Sequence, residues 1–224
     1  DSSSDTLKDM LLQCMMQPLY MSTADGGKFL SFLFGLHPVF IEDIHDTVLA
    51  HIQCGKRSVA QAYGGVYFRA WKESSGQYLM KIEEECVQDF INKAVHASKP
   101  ALFTTLRHVL NEFHKNKKHR GVDEMLCRIY EPILWRALKV ANATVRMQAA
   151  TLLFDAFPLS SDEAPRAEVD ALMQRQFDAT SELLDDNCPR VRVVAINGVG
   201  HIISSYCELM PQNVCRDLLA RLIG

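Results

Sequence analysis

The sequence predicts an all-α fold, an α-solenoid of antiparallel helix pairs with about 11 helices. Apolar residues recur at helical spacing almost throughout the chain, and no segment shows the β-branched alternation of a strand. Very short connections alternate with longer polar ones, and one helix pair takes about 45 residues. Because one pair cannot bury its apolar face alone, we expect successive pairs to stack and share a core.

The individual helices are predicted from their starts and from the connections between them. Five begin at a proline, where the first turn tolerates a missing N–H: 38–53, 100–116, 165–186, 189–210 and 211–223. The other six follow from apolar spacing: 5–17, 27–36, 56–74, 77–97, 121–140 and 143–157. Tight turns at 54–56 and 141–142 join the helices of a pair, whereas ESSG (73–76), HKNKKHR (114–120) and LSSDEA (159–164) separate the pairs.

An internal repeat indicates the type of helix pair. The stretch ATVRMQAATLLFDAF (143–157) is followed forty-six residues later by PRVRVVAINGVGHII (189–203), with the same valine–arginine pair near its start. Periods of about 40–47 residues belong to the HEAT and armadillo classes. In the HEAT pattern a proline lies in the first helix, an aspartate ends that helix, and the arginine can pair with an acidic group of the adjoining repeat. We expect these structural roles at Pro132, Val145, Arg146, Asp186, Val191 and Arg192.

Small and aromatic residues predict where helices approach closely. Gly64 and Gly65 each cost about 1 kcal/mol relative to alanine in a helix, and a neighbouring helix explains them better than a bound peptide. Gly198 is expected to allow the same kind of approach. Trp71 and Trp135 are expected in the core, and residues 83–85 (EEE) are expected to form an exposed acidic face.

The composition limits the classes of partner. The net charge is −3 and the pI is about 6.3, so any nucleic-acid contact has to come from a local patch. No apolar run reaches the roughly 18 residues of a membrane span, and the polar start DSSSD is unlike a signal peptide. The seven cysteines lack a CxxC pair, which favours buried free thiols in a reducing compartment. We interpret residues 1–224 as one solenoid segment cut from a longer chain.

Motifs of catalytic sites are missing from the sequence. It has no HExxH, GxGxxG, phosphate-binding loop or GxSxG, and no histidine stands at metal-ligand spacing from a carboxylate or cysteine. We therefore expect neither catalysis nor a metal, a cofactor or a small-molecule substrate.

Several stretches resemble a known family. EMLCRIYEPILWRALKVANATVRMQAATLLFDAFPL (124–159) is similar to the G-type HEAT-repeat subunits of condensin II, and so are KDMLLQCMM (8–16), VYFRAWKESSGQYLMKIEEECVQDFI (66–91) and CPRVRVVAINGVGHIISSYCELMP (188–211). The resemblance implies a nuclear, chromosome-associated complex that acts in mitotic chromosome condensation. It further implies that the subunit binds the kleisin, through it the SMC subunits, and double-stranded DNA.

Two groups of cations are candidate DNA contacts. The connection HKNKKHR carries Lys115, Lys117, Lys118 and Arg120, and the tight turns carry Lys56, Arg57 and Arg190. Four phosphate contacts from the connection would give a salt slope of about −3.6. The alternative is that these are solvated charges and that the chain is purely a protein–protein scaffold without nucleic-acid binding. Arg146 and Arg192 are assigned to contacts between repeats rather than to DNA.

Overall fold

A computed structural model of the chain describes residues 2–52, 56–206 and 210–223. In these ranges every regular element is a helix, which confirms the all-α prediction. The chain divides into two compact units, Asp1–Lys117 and Lys118–Gly224. That the whole chain forms one continuous solenoid stays a prediction, and each unit is described by itself.

The first unit contains three layers of paired helices. Its helices are α1 (Ser2–Met16), α2 (Pro18–Ser22), α3 (Ala24–Phe32), α4 (Pro38–Ile52), α5 (Arg57–Glu73), α6 (Gly76–Lys81), α7 (Gln88–Val95) and α8 (Pro100–His114). A 3-10 turn, Leu33–Gly35, extends α3, and a π-helical turn, Ile82–Val87, joins α6 to α7. The first helices α1, α4 and α6–α7 pack on one another, and the second helices α3, α5 and α8 do the same.

Contacts between side chains show the direction of these helices. Within the pair α4–α5, His51 contacts Tyr63 and His45 contacts Tyr67, so the two helices are antiparallel. Between successive pairs, Gly64 of α5 lies against Val109 of α8, and Phe68 packs edge-on against Phe113 further along both helices. The second helices α5 and α8 therefore run parallel, as the stacking of helix pairs requires.

The second unit repeats this arrangement. Its helices are α9 (Val122–Tyr130), α10 (Leu134–Ala137), α11 (Ala143–Ala156), α12 (Arg166–Leu184), α13 (Pro189–Tyr206) and α14 (Gln212–Ile223). The second helices α11 and α13 pack together, and α12 packs on its partner α13. Gly198 of α13 lies on the ring of Phe154, and Tyr206 contacts Phe157 beyond it, so α11 and α13 are also parallel.

The structure differs in detail from the expected helices in two parts of the chain. The helix expected over 121–140 is interrupted after Tyr130, because Pro132 lacks an N–H and its ring clashes with the carbonyl four residues earlier. Near the start of the chain the short helix α2 was not expected, and α3 begins three residues before the expected 27–36 segment. Pro132 itself is exposed on the outside of the break.

The expectation of an exposed acidic face at residues 83–85 is wrong for Glu83. Its side chain is buried and accepts a hydrogen bond of 2.8 Å from the indole N–H of Trp71. The π-helical turn inserts one residue into the helix and rotates Glu83 inward, while Glu84 and Glu85 stay exposed. Trp71 and Trp135 both lie in the core, as expected.

The glycine expectation holds for Gly64 and Gly198 but not for Gly65. A Cβ on Gly64 would lie 2.6 Å from the carbonyl oxygen of Val109, and one on Gly198 would lie 2.3 Å from the ring of Phe154. Both glycines are therefore required for contact between second helices. A Cβ on Gly65 would meet nothing within 4 Å.

Candidate nucleic-acid interface

The valine–arginine repeat has a structural role. Arg146 donates two hydrogen bonds to the carboxylate of Asp186, at 2.7 and 2.8 Å, and so links the pair that contains α11 to the pair that contains α13. This hydrogen bonding holds the pKa of Asp186 below its usual value. The expected pairing of the arginine with an acidic group of the adjoining repeat is confirmed for Arg146.

Arg146 and Arg192 also make matching hydrogen bonds to the turns that precede their helices. Arg146 donates through Nη1 to the carbonyls of Val140 and Ala141, and Arg192 donates to those of Asp186 and Asn187. The donor lies six and five residues after its acceptors in both repeats, and the two valines before these arginines, Val145 and Val191, are buried. Arg146 links adjacent repeats, as the sequence indicated, whereas the described contacts of Arg192 lie within its own repeat.

The cations at the start of α5 differ from these arginines. Lys56 is the N-cap residue and Arg57 the first residue of α5, and both side chains are exposed. In the described ranges neither makes an ion pair or a side-chain hydrogen bond. The neighbouring parallel helix α8 begins in the same way, with exposed Lys99 as its N-cap. Lys56 and Arg57 therefore lie at one edge of the first unit, together with Lys99.

In the second unit, Arg190 lies in the first turn of α13. Its side chain is exposed and, among the described residues, has no ion pair. Arg190 is adjacent in sequence to the valine–arginine motif but does not share its structural contacts.

The basic residues in the connection between α8 and α9 differ in their burial and in their ion pairing. His114 is buried, and burial together with the positive charges of Lys117 and Arg107 lowers its pKa to about 3, so it is neutral at physiological pH. Lys115 forms an ion pair with the buried carboxylate of Glu112, at 2.6 Å. This lysine compensates a buried charge and is less available to a phosphate.

The remaining cations of this connection have different environments. Lys117 is half-buried and faces His114, whereas Lys118 and Arg120 are exposed in turns. No ion pair of Lys118 or Arg120 occurs in the described part of the chain. The boundary between the two units lies between Lys117 and Lys118. Within the described ranges, five of the seven predicted DNA contacts are thus exposed, unpaired cations: Lys56, Arg57, Lys118, Arg120 and Arg190.

Sequence reasoning missed a polar network in the first unit. His45 lies between the hydroxyl of Tyr67, at 2.9 Å, and the carboxylate of Asp89, at 3.0 Å. Burial raises the pKa of Asp89, but hydrogen bonds from His45 and Lys93 outweigh this and lower it below its usual value. His45 and Asp89 are separated by one repeat length, so no local motif in the sequence indicates their contact.

Other types of site find little support in the described residues. They contain no group of three potential metal ligands, and none of their helices has the length and apolarity to cross a bilayer. Of the cysteines, Cys86 is buried as expected, whereas four others are half-exposed: Cys14, Cys127, Cys188 and Cys215. Cys54 and Cys207 lie outside the described residues.

Comparison with known proteins supports the resemblance seen in the sequence. Residues 13–161 match the model of a family described as condensin II non structural maintenance of chromosomes subunit. The chain is 41% identical over 223 residues to Condensin-2 complex subunit G2 of Homo sapiens, and 40% identical over 222 residues to that of Mus musculus. Each alignment covers 99% of this chain and 20% of the relative.

The chain therefore spans about a fifth of the length of the curated relatives it matches. No solved structure matches it. Because the family match covers more than half of the chain and the identity extends along nearly all of it, the chain belongs to the family of condensin II non structural maintenance of chromosomes subunits.

Proposed function

We propose that this chain is part of a non-catalytic, nuclear subunit of condensin II that contacts double-stranded DNA and binds the kleisin. Through the kleisin it would join the SMC subunits and act in mitotic chromosome condensation. The observation that carries the DNA contact is the pair Lys56 and Arg57, two exposed cations at the start of α5 that have no partner among the described residues.

The local backbone adds to the attraction for phosphate. Among the described residues no side chain caps the N-terminus of α5, so the N–H groups of Arg57 and Ser58 stay open to a ligand, whereas those of Val59 and Ala60 bond to the carbonyl of Lys56. The helix dipole also places partial positive charge at that end. Because the adjacent helix α8 starts parallel to α5 with exposed Lys99, the same edge of the first unit presents three lysine or arginine side chains.

A purely protein-binding scaffold is the second candidate, and one observation favours it. Lys115 is engaged with Glu112, and His114 is buried and neutral, so part of the basic connection has a structural explanation without DNA. The net charge of −3 also gives no general attraction to DNA. The two candidates differ in the salt dependence that they predict.

A salt series with a labelled duplex distinguishes these candidates. We expect the affinity of the 224-residue chain to fall with a slope of about −4.5 if all five unpaired cations contact phosphates, at roughly −0.9 for each. The variants Arg57→Glu and Lys118→Glu should each weaken binding and reduce the size of the slope by about 1. Fluorescence anisotropy at several salt concentrations measures both quantities.

The control is Arg216→Glu, which makes the same change of charge in α14, outside both groups of predicted contacts. Arg216 is exposed and makes no ion pair in the described part of the chain. We expect this variant to bind like the wild type. Absence of binding at low salt, or an equal loss in the control and Arg57→Glu, would favour the scaffold without DNA binding.

A further inference from the structure

An apolar groove lies beside the cations of α5, inside the first unit. It has a volume of about 460 Å³ and is open to solvent between the end of α1 with α2 and the start of α5. Its apolar lining consists of Met16, Pro18, Met21, Val59 and Ala62, and Met16 is 39% exposed. This volume is in the range of protein sites that bind small or extended ligands.

Hydrogen bonds between the helices hold the walls of this groove together. The hydroxyl of Tyr63 on α5 donates to the carbonyl of Met15 at the end of α1, over 3.0 Å, and lies 2.6 Å from Nδ1 of His51 on α4. Burial raises the pKa of Tyr63, so the hydroxyl keeps its proton. The groove is therefore preformed rather than dependent on the movement of a loop.

The same hydrogen bonds determine what His51 offers to a ligand. Because the single proton of the Tyr63 hydroxyl is used on Met15, Nδ1 of His51 has to donate to the Tyr63 oxygen. His51 lines the groove, and Nε2 is the ring nitrogen that no described residue occupies. Lys56 also lines the groove, with an exposed, unpaired ammonium group.

These features favour one class of occupant. An apolar floor between two methionines suits a bulky aliphatic or aromatic side chain, and methionine adapts to its shape. The ammonium group of Lys56 suits a carboxylate next to that side chain. Nucleic acid suits the groove poorly, because the described residues that line it include no tyrosine, tryptophan or phenylalanine on which a base could stack.

We propose that this groove binds a short peptide segment in which a bulky apolar residue stands next to an aspartate or glutamate. The proposal rests on the kleisin-binding half of the proposed function, since it assigns the segment to the kleisin. It gives the two neighbouring cations different roles. When the peptide is bound, Lys56 contacts it, whereas Arg57, which does not line the groove, stays available to phosphate with or without the peptide.

Two variants and two neighbouring controls test the groove. Ala62→Trp fills it, and Lys56→Ala removes its cation; Gln61→Trp and Arg57→Ala make the same changes at adjacent residues that do not line it. The probe is the labelled kleisin subunit of condensin II, titrated with the 224-residue chain. We expect Ala62→Trp to weaken binding roughly tenfold or more and Lys56→Ala about fivefold, with both controls within about twofold of the wild type.

The outcomes separate this inference from the proposed function. If the kleisin binds the wild type and all four variants equally, the groove is not its site, although the proposed function stands. If the kleisin does not bind the wild type, both the groove assignment and the kleisin-binding half of the proposed function are wrong. Duplex binding should be unchanged in Ala62→Trp and reduced in Arg57→Ala. Since Lys56 is exposed, Lys56→Ala tests the groove even if Ala62→Trp fails to fold.

Discussion

At the scale of single residues, the carboxylate of Asp186 joins two helix pairs of the second unit. It accepts both hydrogen bonds of the Arg146 guanidinium and a third from the backbone N–H of Cys188, at 2.7 Å. The side chains of Arg146 and Asp186 are 15% and 9% exposed. The same carboxylate thus ends one repeat and fixes its contact with the preceding one.

We expect Asp186→Asn to lower the free energy of unfolding of the second unit by about 1–2 kcal/mol. This lies between the effect of an exposed ion pair and that of a fully buried one. Urea denaturation measures it, with Trp71→Phe in every variant so that Trp135 is the only reporting tryptophan. Asp185→Asn is the matched control, because the exposed Asp185–Arg221 pair should contribute less than about 1 kcal/mol. Equal effects at Asp185 and Asp186 would contradict the assigned role.

The same residue predicts a dependence of stability on pH. The pKa of Asp186 is lowered in the folded chain, chiefly by the hydrogen bonds from Arg146. Its contribution is therefore complete above the unfolded pKa of about 3.9 and is lost as the pH falls through the lower folded value. Between about pH 5 and pH 2, the free energy of unfolding should fall less steeply in Asp186→Asn than in the wild type. Parallel curves would show that Asp186 does not carry this part of the acid sensitivity.

At the scale of helices, contact between α5 and α8 depends on one of two adjacent glycines. The backbone carbonyl of Val109 and the side chain of Glu112 occupy the space that a Cβ on Gly64 would take. Neither the Val109 carbonyl nor α8 as a whole can move aside without disturbing the packing between α5 and α8. At Gly65 the corresponding space is empty.

The substitutions Gly64→Ala and Gly65→Ala should therefore act in opposite directions. Gly64→Ala forces the helices apart and should destabilise the first unit by about 1–3 kcal/mol. Gly65→Ala removes backbone freedom from the unfolded chain and should stabilise it by roughly 0.5–1 kcal/mol. Thermal and urea denaturation measure both effects, and Trp71 reports this unit if Trp135 is replaced by Phe. A loss of stability in both variants would mean that helix α5 is tightly covered on both faces.

The helices and the pairing of Arg146 were predictable because their causes are local or repeated in the sequence. Pro38, Pro100 and Pro189 each begin a helix, as expected. Glu83 was not predictable, because it lies in a π-helical turn and its buried side chain pairs with the indole of Trp71 in another helix. The candidate site was predicted only in part. The exposure of Lys56 follows from its place at the start of a helix, but the ion pair of Lys115 needs a carboxylate that is buried by tertiary packing.

At the scale of the whole molecule, the negative net charge means that DNA binding has to come from local groups of cations. The chain has 24 lysines and arginines against 27 aspartates and glutamates, so at long range it repels a duplex slightly. Only cations within about 8 Å of a phosphate act strongly at physiological salt. Contact with DNA should therefore protect particular exposed sites rather than the entire surface.

Trypsin cleavage provides a test of this protection without any substitution. Lys118 and Arg120 are exposed in turns between α8 and α9, so trypsin should cut after both residues. At low salt a short duplex should slow these cuts several-fold, and about 1 M salt should abolish the effect, because the Debye length then falls to about 3 Å. Mass spectrometry of timed samples measures the rate at each site. Arg166, whose side chain is 95% exposed, is the internal control and should be cut at an unchanged rate. Equal slowing at Arg166 would indicate general shielding, and no slowing at Lys118 or Arg120 would make this connection a solvated loop.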